Sequence, residues 1–245
     1  MSKTVKVGFI GAGAIAGTHI GCLKKIKDVA VVALADPSAE ACQKRIKDHQ
    51  LTDVEVFKDY HQLLKRKDLD AVSICTPNWF HYEPAVAALR AGKHVMVEKP
   101  LAMNAKEGKI MCDAARKAHK VFTIGFQHRY RSEVQFVRRM VEEGKLGKML
   151  YCRAHALRRR GIPNWGVFGQ KKLQGGGPMI DNGVHILDVS LFVMGMPAPV
   201  SASGNCYTYL GNKKSETTCA WDNWDYKTYT VEDLACGFVR FKGGS

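Results

Sequence analysis

What the chain lacks narrows its reading first. No apolar run approaches the roughly 20 residues that a membrane-spanning helix needs, so no membrane partner is expected. The first residues carry no secretory-leader layout, because the apolar strand-like run through Val5, Val7, Phe9 and Ile10 starts at once. A soluble, cytoplasmic protein is the expectation. Cysteine occurs eight times but always singly, at positions 22, 42, 75, 112, 152, 206, 219 and 236. Without a C-x-x-C pair, neither a zinc ribbon nor a disulfide framework is indicated, and buried reduced thiols are expected. Acidic residues are few, 23 against 37 Lys and Arg, for a formal charge of +14. The basic residues come only in short groups such as Lys24-Lys25, Lys65-Arg66-Lys67 and Arg158-Arg159-Arg160. No zinc-finger, RNP or basic-helix signature accompanies them, so no nucleic acid is expected as partner; attraction of an anionic cofactor is a sufficient use for the charge.

What is present begins with a glycine turn. Behind the first strand, Gly11, Gly13 and Ala16 fall at G-x-G-x-x-A spacing. That spacing suits a strand that turns abruptly into a helix: Gly11 for the tight turn, Gly13 for close approach to a pyrophosphate, Ala16 for close helix packing. Unpaired N–H groups at the helix start, on Ala14 and Ile15, then face the phosphates. A second apolar strand, Val29 to Ala35, ends on Asp36, twenty residues beyond Ala16, where a carboxylate can accept from the ribose hydroxyls. The pair of signals indicates a dinucleotide site. NAD is favoured over NADP, because no Arg follows Asp36 and its charge repels a 2′-phosphate.

The first half then alternates strand and helix. Helices are expected from Ser38 to about His49, after Asp59 with Gln62 at capping spacing, from about Glu83 to Gly92, and from Asn104 to His119. Strands are expected at Val54 to Phe57, Ala71 to Cys75, His94 to Val97 and Val121 to Gly125. Such βα rhythm predicts a doubly wound parallel sheet, in which ligands sit beyond the carboxyl ends of the strands. That rule gathers Gly11, Gly13, Asp36, Thr76-Pro77-Asn78, Glu98-Lys99-Pro100 and Gln127-His128-Arg129 around one crevice, with His81 close behind the Thr76 turn. Thr76 and Asn78 can bond a nicotinamide ribose; Lys99, between a carboxylate and a proline, is placed to hold a substrate oxygen.

Beyond Gly125 the rhythm changes. Ser132 with Gln135 indicates a capped helix running to Gly144, and Met149 to Leu157, Val200 to Leu210 and Leu234 to Phe241 read as longer strands. The expected fold is therefore an α/β doubly wound Rossmann domain over residues 1–123, followed by an α+β domain with a mainly antiparallel open sheet over residues 124–245. Between the strands of the second domain, Asp181, His185 and Asp188 fall on one face of a helix behind the Gly175-Gly176-Gly177 loop, opposite Ile180, Val184, Leu187 and Leu191. A two-ligand metal site lacks a third ligand at motif spacing, so no metal is expected. Acid–base work suits the pair better, since an ordinary His pKa of about 6.5 lets it take and return a hydroxyl proton.

Taken together, Gly11-x-Gly13-x-x-Ala16, Asp36, Cys75-Thr76-Pro77-Asn78, Glu98-Lys99-Pro100 and Asp181-x-Gly183-x-His185 resemble, in order, the motifs of the glucose-fructose oxidoreductase, inositol dehydrogenase and MocA family of NAD(P)-dependent oxidoreductases. The resemblance implies Lys99, Asp181 and His185 as the catalytic set. It implies a cofactor set of Gly11, Gly13, Ala14, Ile15, Asp36, Thr76, Pro77, Asn78, His81, Glu98, Lys99 and Gln127. It also implies a cis Lys99–Pro100 bond. The stretch Arg159 to Gly166 resembles loops that line a sugar pocket, which adds Arg160 and Trp165 to Lys99, Arg129, Asp181 and His185 as substrate-binding residues. The implied reaction is hydride transfer between a sugar or cyclitol hydroxyl carbon and the nicotinamide. Two alternatives share the architecture: a glycosidase that retains NAD, and a non-catalytic NAD-binding regulator like the galactose repressor of yeast. Phe238 to Ser245 reads as a strand entering a hairpin turn without a return, so the second sheet is expected to be incomplete, and relatives use its open face to form homo-oligomers.

Overall fold

The computed structural model describes residues 3–216 and 218–243. It forms two compact units, Met1–Gly125 and Phe126–Ser245. The first holds six parallel strands, β1 (Val5–Ile10), β2 (Val29–Ala35), β3 (Glu55–Phe57), β4 (Ala71–Ile74), β5 (His94–Val97) and β6 (Phe122–Ile124), in the order β3-β2-β1-β4-β5-β6. Helices α1 (Ala14–Leu23), α2 (Ala39–His49), α3 (Tyr60–Leu64), α4 (Tyr82–Arg90) and α5 (Ala105–Ala118) make the crossovers. The chain reverses direction across the sheet between β1 and β4, and that is where an open α/β sheet leaves a crevice at its carboxyl edge.

The strands bury residues on both faces. Val7, Phe9 and Leu34 pack with Ala16, Ile20 and Cys42 of α1 and α2, while Ile10, Ala33, Ala35, Val72 and Ile74 pack with Leu63, Val86, Leu89 and Met111 on the other side. Each large side chain so buried contributes about 1.5–3 kcal/mol. Helix starts follow the expected caps: Ser38 Oγ accepts from the Ala41 N–H at 3.2 Å, and Asn104 Oδ1 accepts from the Glu107 N–H at 3.0 Å while Glu107 reaches back to the Met103 N–H. Asp59 also caps, accepting from the His61 N–H at 2.9 Å, but the Gln62 side chain turns to Lys65 instead of closing a box.

In the second unit, α6 (Ser132–Glu142), a short α7 (Lys171–Gln174) and α8 (Val184–Val193) precede the antiparallel pair β7 (Pro199–Tyr207) and β8 (Leu234–Phe241). Arg138 on α6 ties it to α8, donating to the Phe192 carbonyl at 2.7 Å with its guanidinium over the Phe192 ring. Three expectations need correction. Met149 to Leu157 forms no strand: Leu150, Tyr151 and Leu157 are all exposed, and alternation without a hydrogen-bonding neighbour makes no ladder. Ser132 does not cap α6, because its hydroxyl goes to Glu133 and Gln135 reaches the Arg129 carbonyl. The cysteines are all free, but only Cys42 and Cys75 are buried; Cys22, Cys152, Cys206 and Cys236 are exposed. Burial pushes the Cys42 thiol up to about 11, with Asp36 adding to the effect. No helix among the described residues is long and apolar enough to cross a membrane. The hairpin turn expected after Phe241 runs into Gly244 and Ser245, which lie outside the described residues.

Candidate functional site

The turn after β1 is built for a backbone-bound ligand. Gly11 has φ +89°, and a Cβ there would sit 2.7 Å from the Cys75 carbonyl carbon and oxygen, so β1 and β4 approach too closely for any side chain. Gly13 is exposed, with nothing within 4 Å of the place a Cβ would take, and it starts α1 without a side-chain cap. Ala14 and Ile15 are exposed as well. An open, uncapped start to a ten-residue helix presents the donors and positive dipole end that a diphosphate requires. Asp36 is held beside this turn, its Oδ2 accepting from the Ala12 N–H at 2.8 Å and its Oδ1 from the Ser38 N–H at 2.8 Å. Each carboxylate oxygen keeps a lone pair for a ribose hydroxyl. These residues fit a dinucleotide.

After β4, Thr76 spends its hydroxyl on the Phe80 carbonyl at 2.8 Å, and Pro77 and Asn78 lead into a 3-10 turn, Asn78–Phe80. His81, expected among the cofactor contacts, is fully buried, with Nδ1 2.7 Å from the Pro100 carbonyl oxygen and Nε2 3.0 Å from that of Thr76. Burial lowers its pKa, against the pull of the two carbonyls. Here it braces backbone. The Lys99–Pro100 peptide bond is cis, as the resemblance implied.

Sequence reasoning did not single out His19, although a histidine on the helix of a cofactor turn was a usable signal. Its Nε2 lies 2.8 Å from Glu98 Oε1 and its Nδ1 2.9 Å from Ser73 Oγ. Burial works against the imidazolium, but the hydrogen bonds to Cys75 and Glu98 outweigh it and raise the His19 pKa to about 10. Burial also works against the Glu98 carboxylate, yet His19 and the Lys99 N–H hold its pKa below the usual 4.5. A histidine whose folded pKa is raised contributes stability that is complete below its unfolded pKa of 6.5 and is lost as pH climbs towards about 10. The carboxylate contributes above 4.5 and loses its share as pH falls through the lowered value. The stability gap between wild type and His19→Gln, measured by urea unfolding across this range, is therefore expected to be widest near pH 6 and to shrink steadily towards pH 10. A gap that widened with alkalinity would contradict the charged pair.

In the second unit, the three-glycine loop delivers the polar helix face. At Gly177 a Cβ would lie 1.8 Å from the Glu232 carbonyl oxygen, so the chain can turn there only as glycine. A π-helical turn, Met179–Gly183, then carries Asp181 into α8. The polar face is the buried one: Asp181, His185 and Asp188 are buried, while Val184, Leu187 and Leu191 are half-buried. Asp181 Oδ2 lies 3.4 Å from Arg158 Nη2, and that guanidinium stacks 4.9 Å over Trp221. His185 sits edge-on to Phe126 at 6.2 Å and 4.8 Å from the His128 ring. Arg129, expected to bind substrate, grips Asp188 with Nε and Nη2, between the Phe126 and Phe192 rings. Arg160 is exposed, and Trp165 packs edge-on to Phe168 and Trp221 at the wall of a cavity of about 230 Å³ shared with Trp224 and Tyr229. Gln127 is exposed in a 3-10 turn. His128, already gathered into the strand-end crevice, lies beside His185, and Arg158 lies beside Asp181; Arg158 and the Trp221 ring under it are the neighbours that sequence reasoning missed. No cluster of three or more His, Cys, Asp or Glu that could hold a metal occurs among the described residues.

Comparison with known families decides what this assembly is. Residues 5–126 match the model of the GFO/IDH/MocA oxidoreductase family with an NAD-binding Rossmann fold, and residues 134–245 match the GFO/IDH/MocA C-terminal domain. The chain belongs to the GFO/IDH/MocA family. Among relatives in it, the D-glucoside 3-dehydrogenase of Escherichia coli (strain K12) is 40% identical over 99% of this chain and 68% of its own length. The inositol 2-dehydrogenase/D-chiro-inositol 3-dehydrogenase of Lactiplantibacillus plantarum is 34% identical over 61% of this chain and 43% of its own. A solved oxidoreductase domain protein from Kribbella flavida superposes with TM-score 0.87 at 28% identity, covering 99% of this chain and 65% of the other. This GFO/IDH/MocA chain thus spans about two thirds or less of the length of these relatives.

Proposed function

We propose that the chain is an NAD-dependent dehydrogenase acting on a ring hydroxyl of a sugar or cyclitol, with D-glucosides the foremost substrates. The observation that carries this reading is that one chain joins an open glycine turn with a carboxylate held beside it to a buried Asp181 and His185 on an otherwise apolar helix. Burying polar groups costs folding energy, and such groups gather where a protein uses them, so two of them on one buried helix face support a role. Similarity to the D-glucoside 3-dehydrogenase supports the substrate class.

When bound, the nicotinamide supplies the electron-pair acceptor for oxidation of an alcohol. The protein supplies the rest. A ring nitrogen of His185 takes the hydroxyl proton as the carbonyl forms. Lys99 Nζ donates to the oxygen on which charge develops. Asp181, steadied by Arg158, orients the substrate, accepting from a neighbouring ring hydroxyl so that the reacting hydroxyl keeps its one hydrogen towards the base. Asp36 selects NAD, since a 2′-phosphate would bring like charge against its carboxylate. Self-association through the exposed apolar residues of β7 and β8, such as Val200 and Phe238, belongs to the same reading.

The test offers methyl glucosides, free hexoses and inositols with NAD and NADP in parallel. Reduction of NAD, faster than of NADP by about tenfold or more, is expected with at least one glucoside or inositol. Release of free sugar without net nicotinamide reduction would assign the NAD-retaining glycosidase instead. NAD binding with neither activity would leave a regulator.

A further inference from the structure

The segment that carries Lys99 is held by side chains from elsewhere in the first unit. Pro100 is fixed through its carbonyl, 2.7 Å from Nδ1 of the buried His81. On the other side the Glu98 carboxylate has two partners: Oε1 lies 2.8 Å from His19 Nε2, and Oε2 accepts from the Lys99 N–H at 3.1 Å. The Glu98 side chain is 12% exposed and that of His19 13%. Gly125, just past β6, leaves room for it, since a Cβ there would stand 2.7 Å from Oε1. Ser73 on β4 takes the other ring nitrogen of His19 at 2.9 Å, so the imidazole cannot swing without losing one bond or the other.

We propose that His19 is a positioning residue for Lys99: from helix α1 it grips the Glu98 carboxylate, and through Glu98 it fixes the Lys99 backbone at the end of β5. The helix whose open start faces the dinucleotide is thus also the helix that sets the lysine. This rests on the reading that Lys99 works on the substrate oxygen, and misplacing such a group by an ångström costs up to about a hundredfold in rate.

The experiment uses the full chain and His19→Phe, which keeps the ring volume and removes both hydrogen bonds. Hydrogen exchange, read by NMR without cofactor, is expected to quicken at the Lys99 amide by about tenfold or more, with the buried β5 amides of Val95 and Val97 unchanged. With NAD and substrate, kcat is expected to fall about 10- to 100-fold with little change in the Kd of NADH, but less than about threefold when Lys99→Met is already present. His19→Gln, which retains one donor, is expected to recover part of both losses and serves if the Phe variant folds poorly. Unchanged exchange at Lys99, or an equal fall in kcat with and without the lysine, would overturn the proposal. A wild type that oxidises no sugar would overturn the dehydrogenase reading instead, and the exchange measurement would still report whether His19 holds the segment.

Discussion

Replacing His185 by alanine is expected to lower substrate-dependent turnover about 10²- to 10⁴-fold, the usual worth of a positioned general base, and Lys99→Met to lower it by a similar order through loss of the oxyanion donor. Both losses should fall on kcat, because each interaction strengthens as the alcohol oxygen gains charge; the Kd of NADH, measured by titration calorimetry, should move by less than about threefold. The two variants combined should cost less than the sum of their separate effects, since groups that act on one oxygen are not independent. Full turnover in either single variant would remove that residue from the chemistry.

How much of this was legible beforehand follows from which interactions are local. The glycine turn, Asp36 and the alternation of strand and helix through Gly125 depend on backbone requirements and side-chain periodicity, which a short window of sequence carries. The six strands accordingly fall close to their expected positions, with ends shifted by a residue or two. Asp181 and His185 were visible by their spacing on one helix face, but the residues that bury them, Phe126, His128 and Arg158, lie well away in the sequence. In contacts between distant segments the partner cannot be read from a local pattern, even where one member, such as His19, stands at a telling place. His19 meets Glu98 across 79 residues, and Arg129 meets Asp188 across 59. Met149 to Leu157 failed for the complementary reason: its alternation satisfies one strand, yet a ladder needs a second.

The Arg129–Asp188 pair yields the other large effect, and it separates a structural role for Arg129 from the substrate contact first expected of it. The Asp188 side chain is 6% exposed and that of Arg129 27%, so Arg129→Ala leaves a nearly buried carboxylate without its bidentate partner. Breaking such a pair from one side costs about 3–5 kcal/mol when both groups are buried. The partial exposure of the arginine argues for the lower end, a fall in Tm on the order of 10 °C in a scan of the whole chain. Asp188→Leu alone should cost comparably, by stranding the guanidinium between Phe126 and Phe192. The double variant Arg129→Met with Asp188→Leu removes both charges and fills the space with apolar atoms, so most of the loss should return. Additive losses in the double variant would mean that the two residues are not coupled. With stability restored, the substrate question becomes clean. A normal KM in the double variant would confine Arg129 to holding α8 in place, whereas a KM raised tenfold or more would mean that the guanidinium reaches the sugar as well as the aspartate, about 1.4 kcal/mol of binding that stability alone does not explain.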